Sequence, residues 1–128
     1  MFDLVGGGQE CASGSGVESV IVRDALIFKF MNGSALTLQA MNSGGIAYAS
    51  FENIRIRYAK LGIHLSADET SFVNSNNFLR GAISGQMTDY AILAEGPGAC
   101  NDNKFFGMVI EPSKTNVAYR TSVCTMFD

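Results

Sequence analysis

Few side chains in this sequence are placed to do chemistry, and each makes a demand on its surroundings. Paired carboxylates are the best enzymatic material, because glycosidases work with two of them about 5–9 Å apart. Asp24 and Glu52 are the strongest candidates, with Arg55 close by, while Asp89 and Glu111 align less well. His64 is the lone histidine, so a histidine metal site or a Ser-His-Asp triad has little material. Lying between Ile63 and Leu65, it reads as an exposed residue on the outer face of a strand. Cys11, Cys100 and Cys124 are odd in number and show no Cys-x-x-Cys spacing. They read as unpaired thiols of a chain made in a reducing compartment, although Cys100 and Cys124 could meet if one turn ends beside the next. The glycine-rich stretch 6–16 lacks Gly-Lys-Ser/Thr and precedes no helix, so it reads as a flexible lead-in rather than a phosphate cradle. No metal and no cofactor are expected.

Composition narrows the setting. Of 128 residues, 47% are hydrophobic and only 16% charged, a balance incompatible with intrinsic disorder. No apolar run approaches the length of a membrane-spanning helix. Nine Lys and Arg against twelve Asp and Glu give a net charge of −3, which offers nucleic acid no electrostatic welcome. The first five residues lack the basic start and apolar core of a secretion signal. Fourteen Gly with two Pro and no Trp predict many tight turns in an extended fold.

The elements that must position the candidate residues emerge from a repeat. Val22 is followed five residues later by Ile27, Phe51 by Ile56, Phe78 by Ile83 and Phe105 by Ile110. The starts recur at spacings of 29, 27 and 27 residues. Between them, at a constant offset, lie Ala25, Ile54, Gly81 and Met108, all apolar or small. Each copy carries a second short apolar strand: residues 35–38, 62–65, 90–93 and 116–119. Turn-rich pieces separate the strands, and no stretch shows a sustained 3.6-residue apolar period with caps. A repeat of roughly 27 residues with two or three short strands predicts a solenoid of parallel strands, in which each turn buries its inward residues against the turns on either side. Ile27, Ile56, Ile83 and Ile110 then form one inward column, and Val22, Phe51, Phe78 and Phe105 another. Asn76 and Asn103 are candidates for a stacked polar ladder.

The rungs Asn76-Asn77-Phe78-x-x-Gly81-Ala82-Ile83 and Asn103-Lys104-Phe105-Phe106-Gly107-Met108-Val109-Ile110-Glu111 carry a resemblance. They resemble the right-handed parallel β-helix family, the pectate-lyase-like proteins and above all the tailspikes and fibres of viruses. Leucine-rich repeats, the nearest competitor, need a dense leucine frame that is missing here. The predicted fold is therefore an all-β, right-handed parallel β-helix of about four rungs with little or no helix, its hand following the general rule for parallel connections. It spans residues 18–122, with 1–17 as a flexible or capping lead-in and 123–128 as a C-terminal tail.

The resemblance implies a structural and receptor-binding segment of a viral tailspike, fibre or capsid-associated protein, carried on the virion and gripping a cell-surface glycan. Such sites use aromatic faces with Arg, Asp and Asn, which makes Asn53, Arg55, Arg57 and Tyr58 the candidate ligand-binding residues. The alternative is a polysaccharide lyase or glycoside hydrolase using Asp24, Glu52 and Arg55. Lyase chemistry in the family needs several Asp for calcium and an Arg as base; Arg55, Arg57 and Arg80 lie on successive rungs, but no cluster of three acids is present. A spacer that binds nothing is the third reading. The outward positions Leu26, Phe28, Ala82 and Val109, with Phe106, suggest a face buried in a homotrimer. Nucleic acid and membrane are not expected as partners.

Overall fold

The computed structural model describes the backbone of residues 2–7, 16–112, 119–121 and 126–127, and the side chains of 19–111. The described residues are all-β, without helix, and their parallel strands stack as a β-solenoid of about three turns, close to the four rungs expected. One turn runs through β2 (Gly16–Glu18), β3 (Ile21–Arg23) and β4 (Leu26–Met41). The next uses β5 (Gly45–Ala47) and β6 (Ser50–Ala67), and the third β7 (Phe72–Asn74) and β8 (Asn77–Glu95). A further turn begins with β9 (Asn103–Phe106), β10 (Val109–Pro112) and β11 (Tyr119–Thr121). β1 (Phe2–Gly7) lies on Leu36–Met41 of β4, and β12 (Met126–Phe127) lies on β9.

The five-residue step seen in the sequence has a backbone cause. In the first part of each turn every fifth residue turns a corner in the left-handed region, and the corners line up from rung to rung. Ser19, Tyr48, Ser75 and Asp102 form one column, with φ of 57°, 56°, 56° and 56°. Asp24, Asn53, Arg80 and Gly107 form a second, at 54°, 52°, 56° and 61°. Lys29, Tyr58 and Gly85 form a third, at 58°, 59° and 79°. Asn, Asp and Gly tolerate this region, whereas a large side chain there is strained. Between corners the segments are too short for anything but a few residues of strand, so the chain is bent around its core by rule.

Both inward columns form as the repeat predicts. Val22 pairs with Phe51, Phe51 with Phe78 and Phe78 with Phe105, while Ile27, Ile56, Ile83 and Ile110 are aligned in the same way. The Phe51 and Phe78 rings stack at 4.9 Å and 11°, those of Phe78 and Phe105 at 4.5 Å and 5°. Ile56 and Ile83 are fully buried, and the column ends Ile27 and Ile110 only half-buried. That gradient is what a stack with two open ends must show.

The polar ladder also forms. Asn76 and Asn103 are both 0% exposed. Asn76 Nδ2 donates to Asn103 Oδ1 at 2.9 Å and to the Ile46 carbonyl at 3.3 Å, and its Oδ1 accepts the Ala49 N–H at 3.0 Å. Asn103 Oδ1 also accepts the Asn76 N–H at 3.3 Å, and its Nδ2 reaches the Val73 carbonyl at 2.7 Å. Donors and acceptors are matched, which is what lets two amides stay in an apolar core.

Three expectations need correction. The second strands align as Leu36, Ile63, Ile92 and Tyr119, so the block 90–93 sits one residue out of the frame first read. Register irregularities between Phe30 and Ser34, and between Arg57 and Leu61, shift the frame inside the turns. Of the fourth block only Tyr119 belongs to the described residues. Cys100 is not a free thiol: it is fully buried and disulfide-bonded. A solenoid returns to the same place every turn, so cysteines remote in sequence come within reach. Cys11 and Cys124, most of the glycine-rich lead-in, and residues 113–118, 122–125 and 128 lie outside the described residues. His64, finally, is not openly exposed. Its side chain keeps 19% of its accessible surface because Thr37 and Leu93 flank it on the adjacent strands, and it meets Glu95 Oε1 at 3.0 Å.

Candidate ligand groove

The candidate residues gather around one corner column of the outer surface. Alternation along β6 puts Ile54 and Ile56 inside, which sends Arg55 and Arg57 outward. Parallel register then sets Arg55 between Leu26 and Ala82, and Arg57 between Phe28 and Ser84. Arg80 projects from the following corner, at the start of the same face. Asn53, Arg55, Arg57, Arg80, Gly81, Ala82, Ser84, Gly107 and Val109 line an open groove of about 520 Å³. The groove stays open at its far end because Gly107 carries no side chain and has nothing near it.

A second depression of about 520 Å³ adjoins it, lined by Arg23, Asp24, Glu52, Asn53, Leu79 and Arg80. Asn53 and Arg80 border both, so the two form one furrow across the corner. The candidate catalytic carboxylates lie in this second half, and each is already engaged. Asp24 Oδ1 accepts from Asn53 Nδ2 at 2.7 Å. Glu52 pairs with Arg23 Nε at 3.0 Å and accepts a hydrogen bond from Ser50 Oγ at 3.3 Å. Among the described residues no three acids, histidines or cysteines converge as a metal site would require.

Electrostatics separates the two halves. Arg23 has Glu52 as its counter-ion, and the other ion pairs join Lys60 to Asp89 and Lys104 to Asp102. Arg55, Arg57 and Arg80 have no carboxylate partner among the described residues. Arg55 Nε reaches only Asn53 Oδ1, at 3.4 Å, and Arg57 lies 5.7 Å from the Tyr58 ring centroid. Three of the chain's five arginines thus stand on one face without an acidic partner among the described residues, in a protein with more acids than bases.

Tyr58 supplies the aromatic wall. Its ring meets Phe28 edge-on at 5.6 Å and lies over Gly85, where an added Cβ would come within 3.0 Å of the ring. Gly85 is therefore what lets the tyrosine lie flat along the next rung. Of the four residues named from sequence as ligand-binding, Asn53, Arg55 and Arg57 share one groove, and Tyr58 stands beside Arg57. Arg80 was legible only as a basic residue on a neighbouring rung. Its membership of the Asp24–Asn53–Arg80–Gly107 column was the signal that could have added it to the set. Phe28, Leu26, Phe106 and Val109 are 50%, 64%, 42% and 48% exposed, whereas Ala82 is half-buried. Set against family models, characterised proteins and solved structures, the chain matches none of them.

Proposed function

We propose that the chain is a structural and receptor-binding β-solenoid segment of a viral tailspike, fibre or capsid-associated protein, and that its outer groove grips a cell-surface glycan. The observation that carries the binding part is the furrow itself. Guanidinium forks at Arg55, Arg57 and Arg80, the Asn53 amide and the Tyr58 ring stand together on a rigid strand face. Forked donors suit hydroxyl and acidic oxygens, and an aromatic face suits the apolar side of a sugar ring. The virion setting rests on the resemblance of the Asn-x-Phe rungs to tailspike rungs. Binding to an array of immobilised glycans, with loss of signal in Tyr58→Ala and Arg57→Ala, tests the reading. A folded protein that binds no glycan would overturn it.

The enzyme reading asks more of the second half of the furrow. Asp24 and Glu52 would have to leave Asn53 and Arg23 before they could serve as acid and base. Turnover of a polysaccharide that is lost in Glu52→Gln would restore it.

Self-association competes for the same face. In the aligned columns Arg55 and Arg57 sit among Leu26, Phe28 and Val109, so a dry three-fold axis there would bury unpaired guanidiniums at a cost of several kcal/mol per ion. A homotrimer built on this face therefore closes the groove, and an open groove leaves the face free. Sedimentation equilibrium at micromolar concentration separates them: a trimer that dissociates in Val109→Glu supports the homotrimer, and a 13.7 kDa monomer supports the open groove.

A further inference from the structure

The geometry points to an anionic ligand for this groove: a glycan bearing carboxylate or sulfate groups, held by Arg55, Arg57 and Arg80. The inference rests on the glycan reading above and adds the charge of the glycan and a residue that determines it. One observation carries it and a second supports it.

The first is the missing counter-charge. Arg55 and Arg57 stand two residues apart on one strand, roughly 6.6 Å, and Arg80 lies on the next rung aligned with Asn53, roughly 8 Å from Arg55 and farther from Arg57. Like charges at these distances repel, and elsewhere on this surface Arg23, Lys60 and Lys104 each face an acid while Lys29 rests over the Phe28 ring. Here the positions aligned with Arg55 and Arg57 are Leu26, Phe28, Ala82 and Ser84, all uncharged, and the two acids that share the furrow with Arg80 are engaged elsewhere, Asp24 by Asn53 and Glu52 by Arg23. An anion bridging the three would relieve that repulsion and use the bidentate geometry of the guanidinium.

The second is backbone strain. Arg80 sits at φ 56°, in a column whose other members are Asp24, Asn53 and Gly107. Those three are residue types suited to the left-handed region, and an arginine is not. Arg80 makes no ion pair among the described residues that would compensate. Strain held without a structural return is a mark of a functional position. Three other large residues stand at corners: Tyr58 belongs to the same site, Lys29 stacks on Phe28, 5.3 Å from its centroid, and Tyr48 is 64% exposed outside the groove, so the strain at Arg80 supports the charge argument rather than standing alone.

Arg80→Gly tests the idea cleanly, since glycine relieves the corner and the variant should fold at least as well as the parent. Binding is measured by calorimetry against a sulfated heparin hexasaccharide, an alginate hexasaccharide, a neutral dextran oligosaccharide and a single-stranded DNA of matched charge. The expected result is binding of the anionic oligosaccharides that weakens with salt. It should fall at least tenfold in Arg80→Gly and Arg55→Gln, with the thermal midpoint of Arg80→Gly unchanged or raised. Equal binding of dextran, undiminished in Arg80→Gly, would overturn the anionic ligand and leave the glycan reading standing. Binding of neither neutral nor anionic sugar would remove both. DNA bound as tightly as the oligosaccharides, or anionic binding that ignores both substitutions, would overturn the assignment to this groove.

Discussion

Two sets of polar side chains mark this solenoid, a column inside and a cluster outside, and they obey opposite rules. Inside, Asn76 and Asn103 are fully buried, and their amide groups meet a backbone group or each other. Outside, Arg55, Arg57 and Arg80 carry full charges with no counter-charge among the described residues. The inner column is settled: its donors and acceptors close on themselves, so it holds adjacent rungs in register. The outer set is unsettled: Arg55 reaches only the Asn53 amide oxygen, Arg57 only the Tyr58 ring, and no carboxylate among the described residues pairs with any of the three. A polar set that is complete in itself builds the fold, and one that is left open offers itself to a ligand.

The largest effect should come from breaking the inner column with a charge. In Asn76→Asp an oxygen replaces the Nδ2 group that faces the Ile46 carbonyl and Asn103 Oδ1. An uncompensated buried charge costs about 3–5 kcal/mol. Burial would raise the new carboxyl's pKa above its unfolded value, near 3.9 for Asp, so the loss should deepen as pH rises above that value and shrink below it. Urea unfolding at pH 3 and pH 7 measures both parts; equal stability to the parent at pH 7 would show that the ladder is not closed.

Next comes the apolar column beside it. Ile83→Ala should lose about 2–4 kcal/mol through the cavity it leaves between Ile56 and Ile110. A shift below about 0.5 kcal/mol, typical of a surface change, would mean that the inward frame is wrong.

Substitutions in the outer cluster should move stability little and sometimes upward. Arg80→Gly should gain up to about 1 kcal/mol by relieving the left-handed corner, while Arg80→Ala removes the same charge and keeps the strain. A gain in the glycine variant alone, with binding lost in both, separates the corner's structural strain from its function. A destabilised glycine variant would place Arg80 with the builders instead.

The smallest effect sharpens the contrast with a polar group between the two extremes. Asp68 is charged, like the arginines, yet surrounded by donors, like the amides. The neighbouring Ser71 side chain, whose hydroxyl meets no partner in full hydrogen-bond geometry, is the largest influence on it, followed by the Asn42 N–H at 2.7 Å. The Thr70 N–H and hydroxyl, both at 3.1 Å, add to these, and together they bring its pKa from 3.8 to about 2. A lowered carboxyl stabilises the fold above its unfolded pKa and loses that contribution as pH falls toward the folded value. Between pH 4 and pH 2 the parent should therefore lose stability that Asp68→Asn never had, and the two acid-unfolding curves should converge. Parallel curves would show that the turn at 68–71 does not depend on the charge.

Much of this was legible in the chain and some was not. Val22, Phe51, Phe78 and Phe105 announce their column because inward positions without a hydrogen-bond partner select apolar residues and recur once per turn. Asn76 and Asn103 were readable because they recur in phase with the phenylalanines. The corners were harder to see. Ser19, Asp24, Asn53 and Ser75 look like turn residues, but Tyr48, Tyr58 and Arg80 occupy equivalent corners and look like strand. The bulges near Phe30 and Ala59 hid the register of the second strands, since the rung-to-rung offset changes there from 29 to 27 residues (56 − 27 against 63 − 36) and from 27 to 29 (83 − 56 against 92 − 63). Arg80 escaped because its meaning lies in a comparison across rungs, not in its own neighbours. The disulfide at Cys100 escaped because sequence distance says nothing of proximity in a coil that passes the same point every turn.

The left-handed corners carry one more implication. At Asp24, Asn53, Arg80 and Gly107 a single backbone geometry displays an acid, an amide, a base and a bare hydrogen, in sequence along the axis. The direction in which each side chain leaves the molecule is fixed by the main chain, two residues away from the stacked phenylalanines and three from the isoleucines. The surface is thus a peg-board: pegs can be exchanged one at a time while the board stays whole. Mutation can therefore rewrite the outside at these addresses without renegotiating the inside.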